Sequence, residues 1–167
     1  ASVKNVTAEG SKAGVNIAFT DTGVSTDFAY KDNTFVGGDG ADTVIVNGGN
    51  DKLSGGKGAD TFIFRQTNTS ANGSFFNNSD TIDGGEGADT IMIDYAKDSA
   101  GTQTQVVIQT SEWLNSKGLD VLDLRATNTR VQLDDAFVGR NDVGSFEVVT
   151  NKIVQSDSTT SVADEAN

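Results

Sequence analysis

GGDGADTVI (37–45), VNGGNDKLS (46–54) and GGKGADTFI (55–63) stand end to end, three units of nine residues in one register. Asp42, Asp51 and Asp60 hold the sixth place of each unit, and Val44, Leu53 and Phe62 the eighth. Glycine, aspartate and one large apolar side chain recur together, which marks a repeat architecture rather than an ordinary helix or strand pattern. The unit reads Gly-Gly-x-Gly-x-Asp-x-apolar-x.

Outward from this block the register continues. Upstream, FAYKDNTFV (28–36) keeps Phe35 at the apolar place and puts Asn33 where the aspartate belongs, without the glycines. Downstream, RQTNTSANGSFFNNS is polar and rich in Asn, Ser and Thr, the composition of a loop inserted near 64–74. FFNNSDTID (75–83) and GGEGADTIM (84–92) then restore the pattern, with Asp80 and Asp89 at the sixth place and Ile82 and Ile91 at the eighth.

The residue types explain one another. Glycine allows a turn with positive φ and lets bare carbonyl oxygens face inward. The triplet around the eighth place is a very short strand whose one large side chain points into a core. A single unit cannot bury that side chain alone, so stability requires stacking. Two units complete one coil, and equivalent turns recur every eighteen residues. Carboxylates and carbonyls facing each other from stacked turns suit calcium, a hard cation taking six to eight oxygens.

These units resemble the RTX (repeats-in-toxin) calcium-binding repeats of exported bacterial proteins. The resemblance implies a right-handed parallel β-roll in which each calcium lies between one loop and the loop two repeats later. The earlier loop would give its second- and fourth-place carbonyls and its aspartate; the later loop would give its first- and third-place carbonyls and its own aspartate. Carried onto this chain, one site joins Gly38, Gly40 and Asp42 to Gly55, Lys57 and Asp60. A second joins Asn47, Gly49 and Asp51 to Phe75, Asn77 and Asp80. A third joins Gly56, Gly58 and Asp60 to Gly84, Glu86 and Asp89. A fourth joins Ala29, Lys31 and Asn33 to Val46, Gly48 and Asp51, with a neutral Asn33 in place of an aspartate. The expected load is about three to four calcium ions. Two carboxylates per full site suit dissociation constants of about 10⁻⁴ to 10⁻³ M, those of extracellular modules.

Composition agrees with a chain whose carboxylates await cations. Asp and Glu total 24 against 12 Lys and Arg, a formal charge of −12. That charge argues against nucleic acid and anionic membrane surfaces as partners. Cys, His and Pro are absent, so disulfides cannot form, and thiol, imidazole and zinc chemistry lack their usual ligands and bases. No apolar run reaches membrane-spanning length, so no membrane insertion is expected. The chain opens without Met or a signal-peptide pattern, which is expected of a segment of a larger protein.

The remaining sequence frames the repeats. Residues 1–27 read as a β lead-in or N-terminal cap, with Val15, Ile17 and Phe19 in alternation, and 28–100 as the β-roll. Residues 101–155 read as a β cap over the open end, and 156–167 as a flexible acidic tail. Within the cap, SEWLNSKG suits a single helical turn, while RVQLDDAFV (130–138) and SFEVVTNKIV (145–154) read as strands. GLDVLDL (118–124) repeats the Gly-x-Asp-x-apolar spacing once, and Asp120 and Asp123 are read as exposed turn residues. Trp113 is read as a cap-core residue rather than a sugar platform.

The expected fold is all-β: a parallel β-roll (β-solenoid) with an appended β cap. The expected function is a calcium-binding structural module of a secreted or cell-surface bacterial protein of adhesin or surface-layer type. Such a chain would leave the cell unfolded by type I export and fold on meeting calcium. No active site is expected in this segment. Other readings remain open: the C-terminal module of a secreted hydrolase or epimerase, a glycan- or partner-binding module, and a self-associating surface subunit.

Overall fold

The structure, a computed structural model, describes residues 4–19, 31–66, 76–95, 106–124, 129–133, 135–141 and 146–150. In chain order the strands are β1 (Asn5–Thr7), β2 (Asn16–Phe19), β3 (Thr34–Val36), β4 (Thr43–Val46), β5 (Lys52–Lys57), β6 (Thr61–Gln66), β7 (Thr81–Glu86), β8 (Thr90–Tyr95), β9 (Val106–Ile108), β10 (Ser116–Lys117), β11 (Val121–Asp123), β12 (Thr129–Val131) and β13 (Glu147–Val149). A 3-10 turn spans Thr110–Trp113 and a short helix, α1, spans Asp135–Arg140.

Successive strands of the repeat block fall alternately into two sheets, ordered β1-β3-β5-β7-β10 and β2-β4-β6-β8-β11-β13. Every pairing is parallel. The chain therefore winds as a coil, each circuit laying one strand on each face, and the fold is the β-roll expected from the nonapeptide register. Strands β9 and β12 form a separate parallel pair.

The eighth-place residues stack in rows. Phe35 faces Leu53 and then Ile82 across one sheet. Val44, Phe62, Ile91 and Leu122 follow one another across the other. All of these side chains are buried. In parallel in-register stacking each coil covers the apolar row that the coil below cannot bury alone. The ladder keeps its register across the insertion: Lys52 stands opposite Thr81 and Thr61 opposite Thr90. Strand β6 runs through Gln66, and residues 67–75 lie outside the described residues. The ladder also includes β1 and β2 at one end and β10 and β11 at the other, beyond the glycine-rich units on both sides.

Ser116 occupies the place that Leu53 and Ile82 fill in the coils below it, opposite Ile82. It is buried, and its hydroxyl has no hydrogen-bond partner among the described residues. A buried unpaired hydroxyl costs about 1–3 kcal/mol. Ser116→Ala is therefore expected to stabilise the folded chain by about 1 kcal/mol. Denaturant unfolding at saturating calcium checks this, and a destabilised variant would contradict it.

The far end departs from the expected strands. Residues 135–138 of the stretch 130–138 lie in helix α1 instead of continuing as strand. Alternation alone favoured a strand, but the helix places Phe137 in the core, its ring 5.1 Å from that of Trp113 and 5.0 Å from that of Phe146. Asn141 closes the helix by donating its backbone and side-chain N–H groups to the Phe137 carbonyl. Arg140 in the last turn complements the helix dipole. Trp113 is fully buried between Phe76 and Phe137, so it has no face for stacking a sugar. Phe76 is part of the same core. Asp123 is buried, not the exposed turn residue expected.

Candidate metal centre

Loops at one edge of the roll join strands of the first sheet to strands of the second. The sixth-place aspartates there form a ladder of their own. The backbone N–H of Val15 donates to Asp42 Oδ1 (2.7 Å), that of Asp42 to Asp60 Oδ1 (2.7 Å), and that of Asp60 to Asp89 Oδ1 (2.8 Å). Each carboxylate is thus pinned by the coil before it, and its second oxygen is left to face its own loop.

For Asp60 and Asp89 that second oxygen, Oδ2, is buried and has no hydrogen-bond partner among the described residues. Asp42 Oδ2 accepts a long bond from the Gly38 N–H (3.2 Å). Burying an unpaired carboxylate oxygen is costly unless a cation or proton meets it.

The glycines open the space these oxygens face. A Cβ on Gly55 would collide with Asp60 Oδ2 and come within 2.5 Å of the Gly84 carbonyl oxygen. A Cβ on Gly37 would collide in the same way with Asp42 Oδ2 and the Gly55 carbonyl. The first-place carbonyl of each later loop thus points back beside the carboxylate of the earlier one. Second- and fourth-place carbonyls point the other way: Gly38 and Gly56 oxygens aim at Gly56 and Gly85 of the next coil, and Gly58 oxygen at Gly87. At Gly37 and at Gly55, a carboxylate oxygen of one coil and a carbonyl oxygen of the next share one gap.

These contacts bring together Asp42 with the Gly55 carbonyl, and Asp60 with the Gly84 carbonyl, as the RTX pattern implies. Two of the expected carbonyls also take part in inter-coil hydrogen bonds. Gly38 accepts from the Lys57 N–H and Glu86 from the Gly58 N–H, both at 2.8 Å. A carbonyl has two lone pairs, so these bonds leave one free. Gly40 packs against Ala13 and Gly14 of the loop below and lies under Gly58.

The opposite edge is built differently. Asp51 Oδ1 accepts from the backbone and side-chain N–H groups of Asn33, and Asp80 Oδ1 from the Asp51 N–H (2.8 Å). Here asparagine amides occupy carbonyls that the pattern would turn to an ion. Asn33 Nδ2 donates to the Lys31 carbonyl and Asn77 Nδ2 to the Gly49 carbonyl, each at 2.7 Å. Asp80 Oδ2 accepts from the Asn77 N–H (2.7 Å). Asp51 Oδ2 and Asn47 Oδ1 remain buried and unpartnered among the described residues. Val46, at the end of β4, and Gly48, in the turn that follows, are buried. Ala29 and Phe75 lie outside the described residues.

Without a cation the carboxylates favour protons. Burial pushes Asp80 up to about 7, against hydrogen bonds from Asp51 and Asn77 that lower it. Burial likewise pushes Asp51 and Asp89 up to about 6, with Asp60 and Asp120 adding negative charge around Asp89. Asp60 is raised by burial and by the charge of Asp42. Among the described residues no group of three or more acidic side chains is placed to hold a metal. Backbone oxygens must therefore supply most ligands, as in sites for hard cations such as calcium. The donor set, the unpartnered Oδ2 atoms and the glycine gaps fit that ion. When bound, it would neutralise carboxylates of adjacent coils and tie the coils together.

The sequence reading missed Asp120. The Asp89 N–H donates to Asp120 Oδ2 at 2.7 Å, which extends the aspartate ladder one coil beyond the nonapeptides. The Gly-x-Asp-x-apolar spacing of GLDVLDL was the signal for it.

A family model, the RTX calcium-binding nonapeptide repeat, matches residues 30–62 and 77–92 in four copies. No curated protein and no solved structure matches the chain.

Proposed function

We propose, for a chain that carries four RTX calcium-binding repeats, that it is the calcium-folded structural segment of an exported bacterial protein of adhesin or surface-layer type. One observation carries this reading: on one edge, each unpaired buried carboxylate oxygen lies in a glycine gap beside a carbonyl of the next coil. Such gaps tie metal occupancy to coil stacking and so to folding. A chain of this kind crosses the cell envelope unfolded where calcium is scarce and folds outside, without disulfides, where calcium is plentiful.

In this reading the ions on the first edge sit between Asp42 and Asp60, with Gly38, Gly40, Gly55 and Lys57, and between Asp60 and Asp89, with Gly56, Gly58, Gly84 and Glu86. The second edge, where the neutral Asn33 stands in an aspartate's place and Asp80 Oδ2 already accepts from the Asn77 N–H, binds more weakly. Self-association or a glycan partner at the cell surface would involve faces other than Trp113, which is buried.

Affinity tests the export reading. Calorimetric titration is expected to give dissociation constants of about 10⁻⁴ to 10⁻³ M, the range of extracellular modules. Constants in the sensor range of about 10⁻⁷ to 10⁻⁵ M would overturn it, because the chain would then fill and fold at intracellular calcium levels.

A further inference from the structure

The first-edge gaps at Gly37 and Gly55 have a third counterpart at Gly84. A Cβ there would come within 2.6 Å of Asp89 Oδ2 and collide with the carbonyl oxygen of Gly118. The composition matches the two earlier gaps: the carboxylate of the same loop, and the first carbonyl of the loop above. Yet the loop above is not a nonapeptide. Ser116 and Lys117 stand opposite Ile82 and Asp83, and Val121 stands opposite Thr90. Only Gly118, Leu119 and Asp120 therefore face the six residues Gly84–Asp89.

This short loop is held firmly. The Gly118 N–H donates to the Arg140 carbonyl at the end of α1 (3.3 Å), and the Leu119 N–H to Asn141 Oδ1 (3.1 Å). Asn141 is fully buried and is itself bonded to Phe137. Asp120 reaches back to accept the Asp89 N–H at 2.7 Å, as Asp60 and Asp89 do for the coils before them. Independently of that ladder, Asp89 is fully buried and its Oδ2 has no partner among the described residues.

We propose that the cap completes a further divalent-cation site, in which Asp120 and the Gly118 carbonyl serve with Asp89 as a second coil's aspartate and carbonyl serve elsewhere. This inference rests on the calcium reading above. The shortened loop has no counterpart of Glu86, so the site has one carbonyl fewer than the others. With fewer protein oxygens, the site is the weakest on its edge. Its occupancy would fasten the cap to the last coil of the roll.

The test is calorimetric titration of the full chain with calcium, comparing wild type with Asp120→Asn. The amide keeps an oxygen for the Asp89 N–H and removes the charge. The expected result is loss of one ion, taken from the weakest step, while the tighter steps persist. Unchanged stoichiometry and affinity would overturn this proposal alone; a wild-type chain that binds no calcium would overturn the calcium reading with it. If the variant folds poorly, anomalous scattering from calcium-loaded wild-type crystals reads the site directly. A peak between Asp89 and Asp120 is expected, and peaks beside Asp42 and Asp60 without one there would overturn the proposal.

Discussion

In excess chelator at pH 8 the chain is expected to give the circular dichroism of an unfolded polypeptide, and calcium at about a hundredfold excess over its dissociation constant is expected to restore full strand signal. The core of the roll is narrow, with one row of large side chains from the first sheet and two from the second, Val44–Phe62–Ile91 and Val46–Phe64–Ile93. Against it stands the ordering of a chain with 19 glycines, each losing more backbone freedom on folding than any other residue. Closing the coils also buries Asp60 and Asp89 oxygens that have no partner among the described residues. A bound cation removes that cost, and each site at a hundredfold ion excess adds about 2.7 kcal/mol. Two or three such sites supply about 5–8 kcal/mol, comparable to the whole stability of a small domain.

Protons are expected to substitute in part. Burial raises Asp51 and Asp89 to about 6 and Asp80 to about 7, above the value of 3.8 for a free carboxyl. The calcium-free folded form therefore binds more protons than the unfolded chain between those limits. Its stability is greatest below 3.8 and is lost as pH rises through about 7. Acidification in chelator should thus increase the folded fraction, while acidification in limiting calcium should weaken ion binding. Full strand signal in chelator at pH 8 would sink the calcium-folding account.

Asp60→Asn is expected to abolish two binding events where Asp42→Asn abolishes one. Asp60 stands between two gaps: its Oδ1 accepts the Asp42 N–H, and its Oδ2 lies at Gly55 beside the Gly84 carbonyl. The amide preserves the shape and the acceptor for Asp42 but withdraws a charge from both ions. Losing both at a hundredfold ion excess removes about 5 kcal/mol, enough to leave the variant largely unfolded at calcium concentrations that fold the wild type. Calorimetry reads the ion count and circular dichroism the folding midpoint. Equal losses in the two variants would show that Asp60 serves a single ion, and the register of paired loops would have to be redrawn.

The nonapeptide block was legible because its signal is periodic. Three units in one register placed Val44, Leu53 and Phe62 in the core and Asp42, Asp51 and Asp60 at the turns, and the structure stacks them so. Asn33 and Phe35 were found in a unit without glycines because their spacing survived. Asp120 and helix α1 were harder. GLDVLDL is three residues short of a nonapeptide loop, and only the pairing of β11 with β8 shows that Asp120 falls over Asp89. RVQLDDAFV (130–138) opens with the alternation of a strand, but burial of Phe137 against Trp113 outweighs that local preference over 135–140.

By itself, the order of residues determined that this chain coils and which side chains point inward. Spacing along a repeat fixes both, since one unit cannot hide its own apolar residue. It also determined that carboxylates meet carbonyls at the turns. What only the folded molecule decided is how the two edges differ and where the ladder stops. Asparagine amides bond to carbonyls on one edge, while on the other, glycine gaps set carboxylate oxygens unpartnered among the described residues beside carbonyls of the next coil. Those outcomes depend on contacts between coils 18, 29 or 31 residues apart, and no local pattern records which groups such contacts will satisfy.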